Sequence, residues 1–267
     1  MTYEQFFLSA KEAEIPLADI KVVMDACLPY GFDALGIHGK EEIPFNPSYL
    51  LQKLKDGYPA NYLSGYIDIQ KLHLFLNEST LIPRNETIQF VVEYLLKKNF
   101  SGKKILDLCT GSGVIALLLK KRVNDAFIIG SDISQEALSM AEKNALYNNL
   151  DVSFIKSDFL DSISDKFDII ISNPPYIPED KEDVNAPFEP EVALYTKEGG
   201  LYSYRRIFEK IKDHLTPDGS CYFELESTMA EKVKNLFLSF YPDEFSVSIW
   251  QDDYQRDRYL VCERKIS

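Results

Sequence analysis

Apolar runs rich in β-branched residues alternate with amphipathic stretches from Lys103 to the end of the chain. This alternation is typical of a parallel sheet whose strands are joined by crossover helices. The sequence predicts strands at 103–109, 126–132, 152–156, 167–172, 219–226, 245–250 and 259–263, and helices at 114–122, 134–147, 202–215 and 228–240. We predict that the last two strands pair antiparallel, because the connection between them is too short for a crossover. The expected fold class is therefore α/β, with a doubly wound, mostly parallel, seven-stranded sheet that ends in an antiparallel hairpin.

Helical spacing replaces this alternation in the first 62 residues. Pro16 suits the first turn of a helix, and apolar residues follow it at helical spacing. These residues are Leu17, Ile20, Val23, Met24 and Cys27. We predict a small helical N-terminal domain over residues 1–62, which either docks a substrate or stabilises the chain. Residues 63–87 are expected to form a linker β-hairpin that turns near Gln70-Lys71, and residues 88–267 form the domain that contains the sheet.

The composition restricts the classes of protein to which the chain can belong. A hydrophobic share of 45% and a charged share of 27% are typical of a globular protein with a core. The net charge of −13 argues against non-specific nucleic-acid binding, which needs a basic surface. Because no apolar run approaches the roughly 20 residues of a membrane helix, we expect no membrane interaction.

The spacing of cysteine and histidine predicts neither disulfides nor a metal site. The four cysteines lack CxxC spacing, and the three histidines show no ligand spacing. Scattered cysteines fit the reduced thiols of a cytosolic protein better than disulfides or zinc ligands. The N-terminus also lacks the basic region of a signal peptide. We therefore expect a cytoplasmic protein that contains no metal.

The stretch from Ile169 to Tyr176 combines a buried strand with an abrupt stop. Its isoleucines predict a strand buried on both faces, and Pro174-Pro175 must end it because proline cannot donate a hydrogen bond to the sheet. A proline also restricts the preceding residue to extended geometry. Asn173 and Tyr176 are therefore predicted to be held stiffly at the carboxyl end of a strand, where ligands bind in open α/β sheets.

A glycine-rich turn joins the first strand of the sheet to its helix, with the sequence Asp107-Leu108-Cys109-Thr110-Gly111-Ser112-Gly113. The two glycines tolerate positive φ and allow a ligand to approach the backbone closely. Asp132 ends the next strand, where a carboxylate can accept both hydroxyls of a ribose. The same unit fits the dinucleotide fingerprint, so an NAD oxidoreductase remains an alternative.

Two features favour a nucleoside ligand that has no pyrophosphate. Asp107 lies inside the turn, where an anion repels phosphate but attracts a cation. Asp158 and Phe159 follow the third strand, where they can contact an adenine by a hydrogen bond and by the ring. An acidic pocket for a cationic adenosine derivative indicates S-adenosylmethionine.

These residues carry a resemblance to a known family. The segments 107–113, 158–159 and 173–176, together with Asp132, resemble a class I methyltransferase that acts on an amide or an exocyclic amine. Three further segments resemble the HemK/PrmC family, the protein glutamine methyltransferases of peptide release factors. They are Tyr62-Leu63-Ser64-Gly65, Leu81-Ile82-Pro83-Arg84-Asn85-Glu86-Thr87 and Phe188-Glu189-Pro190-Glu191-Val192-Ala193-Leu194. The family also has a helical N-terminal domain.

The resemblance implies methyl transfer from S-adenosyl-L-methionine to the side-chain amide of the glutamine in the Gly-Gly-Gln loop of a release factor, with S-adenosyl-L-homocysteine as the product. Residues 88–267 would then bind the cofactor, and residues 1–62 would dock the substrate. The implied cofactor-binding residues are Asp107, Cys109, Thr110, Gly111, Ser112, Gly113, Asp132, Ile133, Asp158, Phe159 and Asn173. The implied catalytic residues are Asn173, Pro174 and Tyr176, and the implied substrate-binding residues are Asn173, Pro174, Pro175, Tyr176, Arg84, Glu86 and Thr87. The expected enzyme is a monomer whose partner is a release factor and which does not bind nucleic acid directly.

The expected mechanism depends on orientation. An amide nitrogen is a poor nucleophile because its lone pair is delocalised into the carbonyl, so it must be aimed at the methyl group. We expect the side-chain oxygen of Asn173 and the carbonyl of Pro174 to accept its N–H groups, while Tyr176 packs on the flat amide. No strong base is needed, because the amide proton becomes acidic after methylation.

Two other functions remain open. The Asn-Pro-Pro-Tyr segment also resembles that of methyltransferases that modify an exocyclic amine of a nucleic-acid base. The second open function is that of a non-catalytic relative that binds a cofactor or a partner. It remains open because Asn85 and Ile88 occupy positions where the family usually has proline and glutamate. The loop 177–200 is rich in proline and acidic residues, and we expect it to be mobile and to close over the peptide.

Overall fold

The computed structural model describes residues 1–181 and 187–265. The chain folds into two units. The first comprises Met1–Asp68 with Phe75–Glu78, and the second comprises Ile69–Leu74 with the residues from Ser79 onward. Across the described ranges, no helix is both long enough and apolar enough to cross a membrane.

The first unit is helical. Its helices are α1 (Tyr3–Glu12), α2 (Leu17–Cys27), α3 (Leu35–His38), α4 (Ser48–Lys55) and α5 (Ala60–Ser64). A capping box begins α1, since the Thr2 hydroxyl accepts from the Gln5 backbone at 3.2 Å and the Gln5 side chain accepts from the Thr2 backbone at 2.9 Å. The helical spacing after Pro16 is confirmed by α2, whose Ile20 and Val23 are fully buried in the core of this unit.

A two-stranded hairpin follows α5. Its strands are β1 (Tyr66–Ile69) and β2 (Leu72–Phe75). Gln70 and Lys71 form the turn with φ angles of 48° and 66°. Two successive residues with positive φ are typical of a type I′ turn, whose twist matches that of the flanking strands. The turn predicted at these two residues is therefore confirmed, although neither is a glycine.

The second unit alternates strands and helices. In chain order they are α6 (Asn85–Gln89), β3 (Lys104–Leu108), α7 (Val114–Arg122), β4 (Phe127–Asp132), α8 (Gln135–Tyr147), β5 (Ser153–Lys156), β6 (Phe167–Ser172), β7 (Ile177–Pro178), α9 (Glu191–Leu194), β8 (Tyr195–Thr196), α10 (Tyr202–Ile211), β9 (Leu215–Glu224), α11 (Ala230–Phe240), β10 (Phe245–Gln251) and β11 (Asp257–Arg264). Ser134 caps α8 as its sequence suggests, accepting from the Ala137 backbone at 3.1 Å.

Within the part of the chain that the structure describes, seven strands form one sheet in the order β10-β11-β9-β6-β3-β4-β5. The pairs β5·β4, β4·β3, β3·β6 and β6·β9 are parallel, whereas β11 is antiparallel to both β9 and β10. The predicted α/β fold, with a mostly parallel doubly wound sheet and an antiparallel hairpin at its end, is confirmed.

The core of the second unit explains why these segments form strands. Ile169, Ile170 and Ile171 of β6 are each at most 5% exposed, which confirms a strand buried on both faces. Beside the sheet, the ring of Phe208 meets those of Phe223 and Phe237 edge-on, with centroids 5.1 Å and 5.0 Å apart. Burying one such side chain stabilises the fold by about 2 kcal/mol.

The largest differences from the predicted boundaries lie at the start of β9 and at the end of the helix before it. The strand predicted from residue 219 begins at Leu215, which pairs with Phe167 before the register shifts and Ile169 pairs with Ser220. The irregular stretch contains Pro217-Asp218-Gly219, whose turn-like composition hides the strand from sequence reasoning. The preceding helix correspondingly ends at Ile211, and a 3₁₀ turn follows it.

The loop predicted as a lid contains regular structure at both ends. Within it, β7 pairs in parallel with β8, which directly follows α9. Residues 182–186 of this loop lie outside the described residues. Its closure over a peptide stays a prediction.

Candidate active site

Three strands carry predicted site residues to one edge of the sheet. The parallel strands β3, β4 and β6 end there, next to Cys109, at Asp132 and next to Asn173. The chain runs from β3 outward to β4 and β5 and then returns to β6 on the other side of β3. Ligands of open α/β sheets bind at this kind of switch point.

A cavity of about 340 Å³ opens at this edge. Most of the predicted site residues line it: Arg84, Thr87, Cys109, Thr110, Gly111, Ser112, Asp132, Ile133, Asp158, Phe159, Asn173 and Pro175. The other predicted site residues lie outside this lining: Glu86, Asp107, Gly113, Pro174 and Tyr176. The structure therefore brings the nucleoside-binding and amide-binding candidates together around one space.

Asp107 stabilises the glycine-rich turn by accepting hydrogen bonds from the turn and from α7. This carboxylate is fully buried, and its Oδ2 accepts from the Thr110 hydroxyl at 2.5 Å and from the Ala116 backbone at 3.0 Å. Its Oδ1 has no hydrogen-bond partner among the described residues. Burial raises the pKa of Asp107 to about 7. An unpartnered buried oxygen calls for an explanation, and a ligand or water that donates to it is one.

Asp132 holds the other side of the turn. Its Oδ2 accepts from the Gly111 backbone at 2.9 Å, and its Oδ1 accepts from the Ser134 backbone at 3.0 Å. Burial raises the pKa of Asp132, and the backbone hydrogen bonds oppose that rise. Each carboxylate oxygen accepts more than one hydrogen bond, so Asp132 retains capacity for the hydroxyls of a ligand.

Asp158 and Phe159 form a third wall, which is supported by Arg206 of α10. A guanidinium nitrogen of Arg206 lies 3.5 Å from Asp158 Oδ2, and its central carbon lies 5.7 Å from the Phe159 ring. Both Phe159 and Cys109 have positive φ, at 47° and 63°. Such backbone strain in non-glycine residues concentrates at ligand sites.

The side chain of Asn173 reaches the cavity with a defined orientation. Its amide nitrogen donates to the Thr87 hydroxyl oxygen at 3.2 Å, and the Thr87 hydroxyl donates to Glu224 Oε2 at 2.6 Å. Pro175 lines the cavity, while Pro174 is buried and Tyr176 is partly buried. Burial raises the pKa of the Tyr176 phenol, so this group stays neutral.

An ion pair connects two of the segments that resemble the HemK/PrmC family, residues 81–87 and residues 188–194. The carboxylate of Glu189, whose side chain is 2% exposed, pairs with the guanidinium of Arg84 and accepts from the Ile82 backbone at 3.0 Å. We name this contact the Arg84–Glu189 latch. Glu86 is engaged elsewhere, since it pairs with Arg256 at 2.9 Å. The latch joins the segment before α6 to the segment before α9.

Sequence reasoning missed two acidic residues of this neighbourhood as individuals. The sequence predicts no individual role for Glu189, which is only part of a motif, and none for Glu224 at the end of its strand. A signal for Glu224 did exist, because the residue ends a predicted strand at the same edge of the sheet as Asn173. Its burial raises its pKa to about 7.

Comparison with known proteins agrees with this geometry. Residues 86–190 match the family model of the methyltransferase small domain. The chain is 40% identical over 219 residues to a release factor glutamine methyltransferase of Streptococcus pneumoniae, covering 80% of this chain and 78% of that protein. It is 38% identical over 213 residues to the one of Lactococcus lactis, covering 78% of each.

Solved structures show the same fold. A methyltransferase from Pyrococcus furiosus, 20% identical, superposes with a TM-score of 0.56 over 74% of this chain and 91% of that chain. The sequence similarity to these bacterial proteins extends over about four fifths of the chain. This chain belongs to the family of release factor glutamine methyltransferases.

Proposed function

We propose that this enzyme transfers a methyl group from S-adenosyl-L-methionine to the side-chain amide nitrogen of the glutamine in the Gly-Gly-Gln loop of peptide chain release factors. The observation that carries the proposal is the position of Asn173. Its amide group lines the same cavity as the glycine-rich turn and Asp132, with its nitrogen bound to Thr87 and its oxygen on the other arm of the planar group. Family membership supports the same substrate.

The residues of the cavity fit S-adenosyl-L-methionine. Asp107 offers an unpartnered buried oxygen behind the turn, and Asp132 is bonded to backbone N–H groups rather than to a cation. Asp132 would accept hydrogen bonds from the ribose hydroxyls, and Asp158 and Phe159 would contact the adenine. The turn from Cys109 to Ser112 would bind the methionine part of the cofactor. When bound, the cofactor supplies an electrophilic methyl group on a sulfonium.

Asn173 and its neighbours would handle the substrate amide. The oxygen of Asn173 and the carbonyl of Pro174 accept the two N–H groups, which turns the nitrogen lone pair toward the methyl group. Both acceptors are dipoles fixed by the end of β6, so they stabilise the positive charge that develops on nitrogen without having to reorient. The proton then leaves a strongly acidic nitrogen and needs only water as its acceptor.

The domain roles belong to the same proposal. We infer that residues 1–62 dock the release factor, residues 63–87 act as a linker, and residues 88–267 bind the cofactor and carry out the reaction. Tyr176, Arg84 and Glu86 then belong to the substrate entrance.

Methyl transfer from labelled S-adenosyl-L-methionine to a purified release factor tests the proposal. We expect label on the wild-type factor and none on a factor whose loop glutamine is changed to alanine. Equal label on both factors would refute the glutamine site. Label on RNA or DNA, with none on the factor, would favour the nucleic-acid alternative.

The role of Asn173 has its own test. Asn173→Ala should lower the transfer rate at least about 100-fold, because the main acceptor for the substrate amide is lost, while cofactor binding weakens only modestly. Asn99→Ala, on the surface, is the control and should behave as the wild type. A wild-type rate for Asn173→Ala would contradict the role, and calorimetry would check the cofactor affinity.

A further inference from the structure

A chain of two hydrogen bonds, one partly buried and one buried, extends from the Asn173 amide. It runs from Asn173 Nδ2 to Thr87 Oγ1 at 3.2 Å and from the Thr87 hydroxyl to Glu224 Oε2 at 2.6 Å. Thr87 is 3% exposed and Glu224 is 2% exposed. The three residues come from the end of β6, from α6 and from the end of β9, so only the folded chain brings them together.

The direction of this chain of bonds is set by the number of protons available. When Glu224 is ionised, above about pH 7, the Thr87 hydroxyl gives its one proton to the carboxylate of Glu224. Toward Asn173 the hydroxyl can then only accept, so it bonds the NH₂ group and repels the amide oxygen. A flipped amide would place two acceptors against each other and would turn N–H donors, instead of an oxygen, toward the substrate.

We propose that Thr87 and Glu224 are positioning residues that hold the Asn173 side chain in the one orientation whose oxygen accepts the N–H of the substrate amide. This inference rests on the proposed function and adds two residues that act through Asn173.

The backbone around these residues is also anchored. The Tyr204 hydroxyl donates to the Glu224 backbone carbonyl at 2.8 Å, and the Tyr259 hydroxyl donates to the carbonyl of Glu86, the neighbour of Thr87, at 2.9 Å. The Tyr259 ring in turn stacks on Phe90 with centroids 4.2 Å apart. Thr87 and Glu224 therefore cannot move apart without breaking further buried contacts.

Packing alone does not account for a carboxylate at this position. Burial of a charge is costly, and an apolar side chain of similar size fills the same space without that cost. The guanidinium of Arg258 provides an opposite charge near Glu224. The same guanidinium is already paired with Asp252, whose carboxylate lies 3.7 Å from its Nε. The strong acceptor that Glu224 provides is what fixes the Thr87 proton.

The test compares three substitutions with a matched control. Thr87→Val keeps the shape and removes the hydroxyl, Thr87→Ser keeps the hydroxyl, and Glu224→Gln removes the fixed direction of the bond. Thr216→Val is the control, because Thr216 lies on the same strand as Glu224 and also bonds a carboxylate, Asp168, at 3.3 Å, outside the cavity lining.

We expect Thr87→Val and Glu224→Gln to lower kcat for methylation of the release factor by roughly 10- to 100-fold. KM for the factor and Kd for the cofactor should change less than about threefold, because Thr87→Val keeps the shape of the cavity wall and Glu224 lies outside the cavity lining. Thr87→Ser should keep kcat within about threefold of the wild type, and Thr216→Val should keep it unchanged. A loss of kcat in Thr87→Ser equal to that in Thr87→Val would overturn the proposal, as would wild-type kcat in Thr87→Val.

A second readout needs no turnover. In ¹⁵N-labelled enzyme, the side-chain NH₂ signal of Asn173 is assigned by its loss in Asn173→Ala. One of its two protons should exchange slowly in the wild type and in Thr87→Ser, and both should exchange fast in Thr87→Val. Fast exchange of both protons in the wild type would overturn the inference. A wild type that shows the slow proton but methylates no release factor would instead refute the proposed function and leave the hydrogen-bonded arrangement standing.

Discussion

The glycine-rich turn between β3 and α7 holds two glycines that share a backbone region but have different surroundings. Gly111 has φ +55°, and a Cβ at this position would meet no atom within 4 Å. Gly113 has φ +84°, and its added Cβ would lie 3.2 Å from the Cβ of Ala141. Gly111 therefore faces the space of the cavity, whereas Gly113 packs against α8. One substitution at each position separates ligand approach from packing.

Gly113→Ala should lower the free energy of unfolding by about 2 kcal/mol, because positive φ and a tight contact add together. Gly111→Ala should cost only about 1 kcal/mol of stability but should weaken cofactor binding more than Gly113→Ala does. Chemical denaturation and calorimetry measure the two effects. Equal losses of stability, with unchanged cofactor affinity in Gly111→Ala, would show that the turn does not approach the cofactor closely.

At the scale of elements, the Arg84–Glu189 latch ties together two segments that are 105 residues apart. The Glu189 side chain is 2% exposed, while that of Arg84 is 40% exposed. The guanidinium thus remains partly hydrated, and the contact is worth less than a fully buried ion pair. The carboxylate also satisfies the backbone of Ile82, so the latch fixes the chain just before α6, where Thr87 lies.

Glu189→Gln should lower the free energy of unfolding by about 2 kcal/mol, because it leaves Arg84 without its charge partner but retains an acceptor for Ile82. It should also raise KM for the release factor, since both joined segments border the cavity. The matched control is Glu209→Gln, which breaks the more exposed pair with Arg205 and should cost less than about 0.5 kcal/mol. Similar losses in the two variants would contradict the latch.

The sequence predicted most of the helices and strands, but it did not predict all of their first and last residues. The alternation of apolar runs predicted every strand of the sheet, because each buried strand is itself a short run of apolar residues in the sequence. The start of β9 at Leu215 was missed, since Pro217 and Gly219 resemble a turn and only the pairing with Phe167 reveals a strand. Helix α6 begins at Asn85, inside the segment predicted to be a linker, and passes into a π-helical stretch, Phe90–Tyr94.

At the scale of the whole molecule, buried carboxyl groups make stability depend on pH. Burial raises the folded-state pKa of Glu224 from 4.5 to about 7 and that of Asp107 from 3.8 to about 7. Between these values the folded chain binds more protons than the unfolded chain does, so stability falls as pH rises. Below the unfolded pKa both states are protonated, and above about pH 7 both are ionised, so the slope vanishes on either side.

The wild type should therefore lose stability between about pH 4.5 and about pH 7, and Glu224 should account for about 3 kcal/mol of that loss. Glu224→Gln, which cannot ionise, should show a flatter curve over the same interval. Unfolding by denaturant at a series of pH values measures both curves. Parallel curves for wild type and variant would mean that Glu224 ionises with an ordinary pKa.

The sequence by itself determined the α/β alternation, the hairpin turn at Gln70-Lys71, the glycine-rich turn and the stop at Pro174-Pro175. Each of these is local, because periodicity, positive φ and the missing N–H of proline act within a few residues. Only the tertiary structure decided how Asn173 is held. Its partner Thr87 lies 86 residues before it in the chain, and Thr87 and Glu224 are separated by 137 residues. Hydrogen bonds between such distant side chains produce no periodic pattern in the sequence, and these form only where the folded chain places α6 against the carboxyl ends of β6 and β9.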